Sequence, residues 1–311
     1  TEVQALVKAS GAANLTLENL KLDGNGANFL GRLVEMGTGN LTISGAEISG
    51  SNASKICTEP LLLPTSGDDE FPPYTHECVI PYEDKDESTD PYSYTPATSG
   101  GAIVSGPGVT TIHHSTIADN ESSLDGGAIS VTGPLNMWNN TLFNNESLNG
   151  VGGAVSISGV HLAESQLINN TFKENLASSG VGSAISATND VLVRVIGSLF
   201  VNDSCNISTA SEAVREYNVT AGSTVAGSVP ASTCGTNAAV EVDTNKSVEV
   251  ASLNLAPSAT INSSHPDNSG HVRTIALNEG SSAIDVFTAA ELSTGTADAT
   301  FFSTRIADDA R

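Results

Sequence analysis

The side chains that could do chemistry fall in four places. Asp84-Lys85-Asp86-Glu87-Ser88-Thr89-Asp90 sets the oxygens of Asp84, Asp86, Ser88 and Asp90 at relative positions 1, 3, 5 and 7. Hard Ca²⁺ takes several oxygens from one turning loop, so this spacing makes a candidate calcium site. Thr89 stands where a helix-loop-helix calcium loop has Gly, and Thr95 where it has its bidentate Glu. A solvated acidic loop is the other reading. His113 and His114 are adjacent in a strand-like segment. Alternation along a strand predicts that they point to opposite faces and share no metal. Asp119 and Asp125 are close enough in sequence to form a carboxylate pair of the kind glycoside hydrolysis needs, though each also reads as a turn residue. Lys173 and Arg194 are cations within repeated sequence, where a polysaccharide lyase would place its base. No acidic partner is expected beside either at one-repeat spacing. GxSxG, HExxH and phosphate-loop patterns are absent from the sequence.

Four cysteines form two local pairs, Cys57/Cys78 and Cys205/Cys234, with no CxxC spacing. An even count in a Lys-poor chain points to two disulfides and an oxidising compartment. Buried free thiols are the alternative. Twelve Asn-x-Ser/Thr sites occur, and Asn14, Asn40, Asn52, Asn218 and Asn262 are candidates for glycosylation. The stretch 56–98 concentrates prolines, two cysteines and four of the five tyrosines, Tyr74, Tyr82, Tyr92 and Tyr94. Long ordered loops of this kind often make contacts, and rigid tyrosines suit a recognition surface. A loop that covers apolar strand surface has the same composition.

Charge narrows the function further. The chain carries 12 Lys+Arg and 35 Asp+Glu, a net charge of −23. Phosphate recognition needs clustered Lys and Arg, so nucleic acid is excluded as an expected partner. A polyanionic substrate would be repelled unless calcium bridged it. No apolar run reaches the roughly 20 residues of a membrane span. Thr1 opens directly into structured-looking sequence, which reads as a mature, processed chain.

The elements that must position these groups come from an internal repeat. Gly100-Gly101-Ala102-Ile103 recurs at Gly126-Gly127-Ala128-Ile129, Gly152-Gly153-Ala154-Val155 and Gly182-Ser183-Ala184-Ile185, in steps of 26, 26 and 30 residues. A second landmark, Ile117, Leu142, Leu167 and Leu199, is followed three residues later by Asn120, Asn145, Asn170 and Asn202. Short alternating segments such as Leu41-Thr42-Ile43 read as strands. A period near 25 with about three short strands and no helical pattern is one coil of a parallel β-solenoid, whose coils stack at roughly 4.8 Å. Inward Ile, Leu and Val then form a narrow core with little room for aromatics. The Gly-Gly step permits a tight corner. Asn at a fixed turn position can adopt the left-handed conformation and bond to its counterpart in the next coil. Without 56–98, about 270 residues give roughly ten coils and a rod about 50 Å long. The expected divisions are coils over 1–55, the insertion 56–98, regular coils over 99–205 and less regular coils over 206–311.

The GGAI…STIADN and GGAI…NTLFNNES repeats resemble those of right-handed parallel β-helix proteins of bacterial surfaces, including the polymorphic outer-membrane type. Leu277-Asn278-Glu279-Gly280-Ser281-Ser282-Ala283-Ile284-Asp285 is similar to the segment that closes such helices in many secreted bacterial proteins, with Ser282 in the usual place of Pro. The resemblance implies an extracellular setting and a right-handed helix. Its members include adhesins, anchored surface proteins and polysaccharide-active enzymes, so it leaves function open. The expectation is a non-enzymatic secreted or cell-surface rod, a filament subunit or adhesin that associates with itself head-to-tail or laterally, or with a glycan. The alternative is a secreted polysaccharide-binding or lyase-type protein. No cofactor is expected beyond the candidate Ca²⁺.

Overall fold

The computed structural model describes residues 5–24, 31–53, 99–159, 163–188 and 191–207, together with the backbone of short strands at 214–216, 219–221, 246–248, 260–261 and 273–274. The described residues form a β-solenoid of parallel sheets. Three sheets of seven, seven and eight strands run the length of the stack, and a fourth of three two-residue strands edges three of the coils. Ten coils are not reached among the described residues, which show about five complete turns.

Each coil gives one strand to each long sheet. In one coil these are Ile129–Val131, Leu135–Trp138 and Thr141–Phe143, followed by the short strand Glu146–Ser147. Pairing is in register, so like stacks on like. Val34, Ile103, Ile129, Val155, Ile185 and Cys205 form one inward column. Leu22, Ile48, Ile117, Leu142, Phe172 and Phe200 form another. The core does admit aromatics: Phe172 and Phe200 are fully buried and stacked, with centroids 4.9 Å apart and planes at 2°. Two rings fit because they occupy successive coils at one position, where flat faces match the coil spacing.

The glycine repeat behaves as its spacing predicts. A Cβ on Gly101 would sit 2.0 Å from the carbonyl oxygen of Gly127, and one on Gly127 would sit 2.1 Å from that of Gly153. Ser183 is allowed at the end of this column because the next coil is short. Ile185 pairs with Cys205 only 205 − 185 = 20 residues on, and the Ser183 hydroxyl instead donates to Asp203 Oδ1 at 3.2 Å.

The asparagine landmarks need correction. Asn120, Asn145 and Asn175 stack in one buried column, but Asn170 belongs to a second column with Asn140. Within the first, the Asn120 backbone N–H and Nδ2 both donate to Asn145 Oδ1, at 3.2 and 3.0 Å, and Asn145 does the same to Asn175. The left-handed backbone falls one residue earlier, at Asp119 (φ 57°), Asn144 (φ 53°), Glu174 (φ 54°) and Asn202 (φ 56°). Turn and ladder are thus the work of adjacent residues. Asn202 makes the turn and Asp203 ends the ladder, accepting from the Asn175 N–H at 2.9 Å and its Nδ2 at 3.0 Å.

The segment after Ala53 leaves the stack undisturbed. Val34 pairs directly with Ile103, an offset of 69 residues, or one 26-residue coil plus the 43 residues of 56–98. The buried Arg32 side chain donates to the Ser99 carbonyl at 3.1 Å and to Glu35 at 3.1 Å, tying down the point of return. Burial lowers the pKa of Arg32 and the Glu35 charge opposes that shift. Beyond residue 207 the third sheet continues through 219–221 to 246–248. The strands at 260–261 and 273–274 pair antiparallel with each other, outside the solenoid pattern. Leu277–Asp285 lies outside the described residues.

Two outcomes are expected. Gly127→Ala drives a Cβ into a carbonyl and should cost about 2 to 3 kcal/mol in urea unfolding, against about 1 kcal/mol for Gly11→Ala, where only positive φ is at stake. Burial pushes the Asp203 carboxyl up to about 7, with the Asn175 and Ser183 hydrogen bonds opposing. An acid raised in the folded state adds stability below its unfolded pKa and loses it as pH rises through the folded one. Stability is therefore expected to fall between about pH 4 and pH 7. Asp203→Asn should flatten that fall in melts taken across the range; an unchanged slope would remove Asp203 as its source.

Candidate functional site, a groove on the second sheet

Strand alternation sends every second side chain of the second sheet outward. Leu135 and Met137 are fully buried, so Asn136 and Trp138 face out. In-register stacking then aligns Thr42, Thr111, Asn136, Gln166 and Arg194 in one outward column. Ser44, His113, Trp138, Ile168 and Ile196 form the column beside it. Between the polar column and the apolar one lies a groove of about 410 Å³, lined by Thr111, Asn136, Met137, Trp138, Glu164, Gln166 and Ile168. That volume lies within the ordinary range for small-molecule sites.

Trp138 is the single tryptophan of the chain and falls in none of the motifs from which a site was expected. Its signal was available: a lone large aromatic at an outward strand position in a chain with 5% aromatics. The ring stacks on His113 with centroids 4.5 Å apart and planes at 4°. At the groove's other side Arg194 Nε donates to Glu164 Oε1 at 3.1 Å, and Gln166 Nε2 donates to Glu164 Oε2 at 3.3 Å. Glu164 precedes Arg194 by 30 residues, so a carboxylate does stand one coil from this cation, contrary to the sequence expectation. Glu164 directly precedes the strand Ser165–Ile168, in a coil with four more residues between its first-sheet and second-sheet strands than the coil before it.

The expectation that the two histidines point to opposite faces is overturned. His114 takes φ 51°, which ends the strand and turns its side chain back toward its neighbour. The Nδ1 atoms of His113 and His114 lie 2.9 Å apart, with ring planes at 86°.

No family model, curated protein or solved structure matches the chain. The site's chemistry therefore has to be read from its own side chains.

The other candidates distribute as follows. Asp119 accepts from Asn144 Nδ2 at 2.7 Å and Asp125 accepts from the Val151 N–H at 2.9 Å, so each is held as a turn residue. Lys173 pairs with Glu174 at 2.9 Å. Glu146 lies directly over Glu121, and burial first, then the Glu121 charge, raises its pKa. Asn14 and Asn40 are exposed and form a short ladder, Asn40 N–H to Asn14 Oδ1 at 3.0 Å and Val109 N–H to Asn40 Oδ1 at 2.9 Å. Asn52 is 8% exposed and bridges Glu121, so its amide is shielded from a glycosylating enzyme in the folded chain. Cys205 is buried in the core. Cys57, Cys78, Cys234, Asp84, Asp86, Ser88, Asp90, Tyr74, Tyr82, Tyr92, Tyr94, Asn218 and Asn262 lie outside the described residues.

The side chains of Glu164 and Arg194 are 29% and 27% exposed, and pairs this open to water contribute little to folding. Glu164→Gln should lower unfolding stability by less than about 1 kcal/mol. A larger loss would mark Glu164 as structural.

Proposed function

We propose that this chain is a non-enzymatic extracellular rod that binds a neutral carbohydrate chain in the second-sheet groove, in the manner of an adhesin. The carrying observation is the pairing of an apolar wall, the half-buried Trp138 beside the nearly buried Ile168, with a floor of Thr111, Asn136 and Gln166. A sugar ring has the matching amphipathic shape. Its C–H surface suits the indole and the isoleucine, and its hydroxyls suit amide, hydroxyl and carboxylate partners, each hydrogen bond replacing one to water. The floor side chains repeat at the coil spacing, so an extended ligand along the axis meets similar partners at successive steps. Net charge −23 favours a neutral glycan over a polyanionic one.

Binding is favoured over cleavage because the described lining residues include a single carboxylate, Glu164, already engaged by Arg194. Hydrolysis needs two carboxyl groups across the scissile bond. A rod that presents ligand contacts along its side also suits the surface setting that the repeats resemble, and head-to-tail or lateral association would multiply weak contacts.

The test is an immobilised-glycan screen with the full chain, followed by titration of the best ligand. Trp138→Ala and Gln166→Ala should each weaken binding about tenfold or more while leaving the unfolding midpoint within about 1 kcal/mol of the parent. Unaltered affinity in both variants would place the ligand elsewhere. Release of unsaturated uronate from any polysaccharide would replace this reading with a lyase. Negative-stain images of the same material test self-association, with fibres expected if rods join end to end.

A further inference from the structure

Independently of the glycan reading, the geometry points to a divalent transition-metal site formed by Nδ1 of His113 and Nδ1 of His114, of the tetragonal kind that Cu²⁺ and Ni²⁺ prefer. Two imidazole nitrogens bound at about 2.1 Å and about 90° to one another are about 3.0 Å apart, whereas tetrahedral ligands are about 3.4 Å apart. The observed separation is 2.9 Å, the length of the N–H···N bond that the metal-free pair makes, and it already brings both nitrogens within that chelating span. Adjacent strand residues do not normally converge in this way. They do so here because His114 occupies the left-handed corner position that Asn19, Asn139 and Asn169 hold in other coils.

Both rings are already placed. His113 is stacked on Trp138, and its Nδ1 lies 3.4 Å from Ser44 Oγ, an oxygen one coil away. His114 Nε2 lies 3.2 Å from Asn139 Nδ2. Without metal, one Nδ1–H donates to the other Nδ1. With metal, both Nδ1 atoms present lone pairs, and the His114 proton sits on Nε2, where it donates to the Asn139 amide oxygen once that amide is turned over. The proton only moves between nitrogens, so the change is balanced. Water and the nearby Ser44 hydroxyl complete the coordination. Imidazole nitrogen selects this metal class over Ca²⁺ and Mg²⁺, and Cu²⁺ leads the affinity order.

The single tryptophan reports on the site directly. The full-length chain, freed of metal with EDTA and dialysed, is titrated with CuCl₂ while indole fluorescence is followed. One equivalent should quench Trp138 strongly and saturably, since the His113 ring lies 4.5 Å from it. His114→Asn installs a residue already tolerated at that corner, and His113→Ser installs the residue of the coil below. Each should weaken copper binding about tenfold or more, with paramagnetic resonance of the parent showing two equatorial nitrogens. Thermal melts of the two variants separate lost ligation from lost fold. Copper affinity and quenching unchanged in His114→Asn would overturn the assignment, as would a parent spectrum with one nitrogen or none.

Discussion

A solenoid has to satisfy the polar backbone at every corner of every coil, deep inside the chain and away from water. Buried donors left unmade cost about 1 to 3 kcal/mol each, and here the corners recur in every turn. The amide ladder meets this demand. The oxygens of Asn120, Asn145, Asn170 and Asn175 each take two donors from the coil before, and the Nδ2 of each buried ladder asparagine also reaches back to a main-chain carbonyl, as Asn145 does to Ile117 at 3.0 Å. An amide serves because it carries a donor and an acceptor at once, so one residue type can pass the pattern on without end. A carboxyl has no amide N–H pair with which to pass the pattern on, and Asp203 stands where the described ladder stops.

The same stacking rule decides what the surface can present. Outward side chains are set in straight files by the register, so a groove needs only two unlike files side by side. Thr111, Asn136 and Gln166 make one, and His113, Trp138 and Ile168 make the other. Rigid strands hold these residues without any loop having to order on binding, which removes an entropic cost from recognition.

Much of the fold was legible in sequence, because a glycine that meets a carbonyl at 2.0 Å has no substitute and so recurs visibly. The asparagine frame slipped for a physical reason. Two ladders run five residues apart, at Asn140 and Asn145 and again at Asn170 and Asn175. Four extra residues in the fifth coil moved the pattern by almost that spacing, so the wrong ladder looked in register. The groove was harder to see. It depends on Glu164 arriving from that lengthened turn, and on alternation that exposes Trp138 by virtue of Leu135 and Met137 being buried. The histidine pair was misread because strand alternation fails at a residue with positive φ, and His is an uncommon choice there.

The offset of 69 between Val34 and Ile103 has an evolutionary meaning. Because coils make contact only with the coils directly above and below, chain can be added at that corner while the strands on either side keep their register. The join between Ala53 and Ser99 is thus a place where a lineage can try, lengthen or discard an appendage in a single genetic event. Selection on the appendage and selection on the rod then proceed separately, one free to drift with whatever it meets and the other held by its glycines and amides.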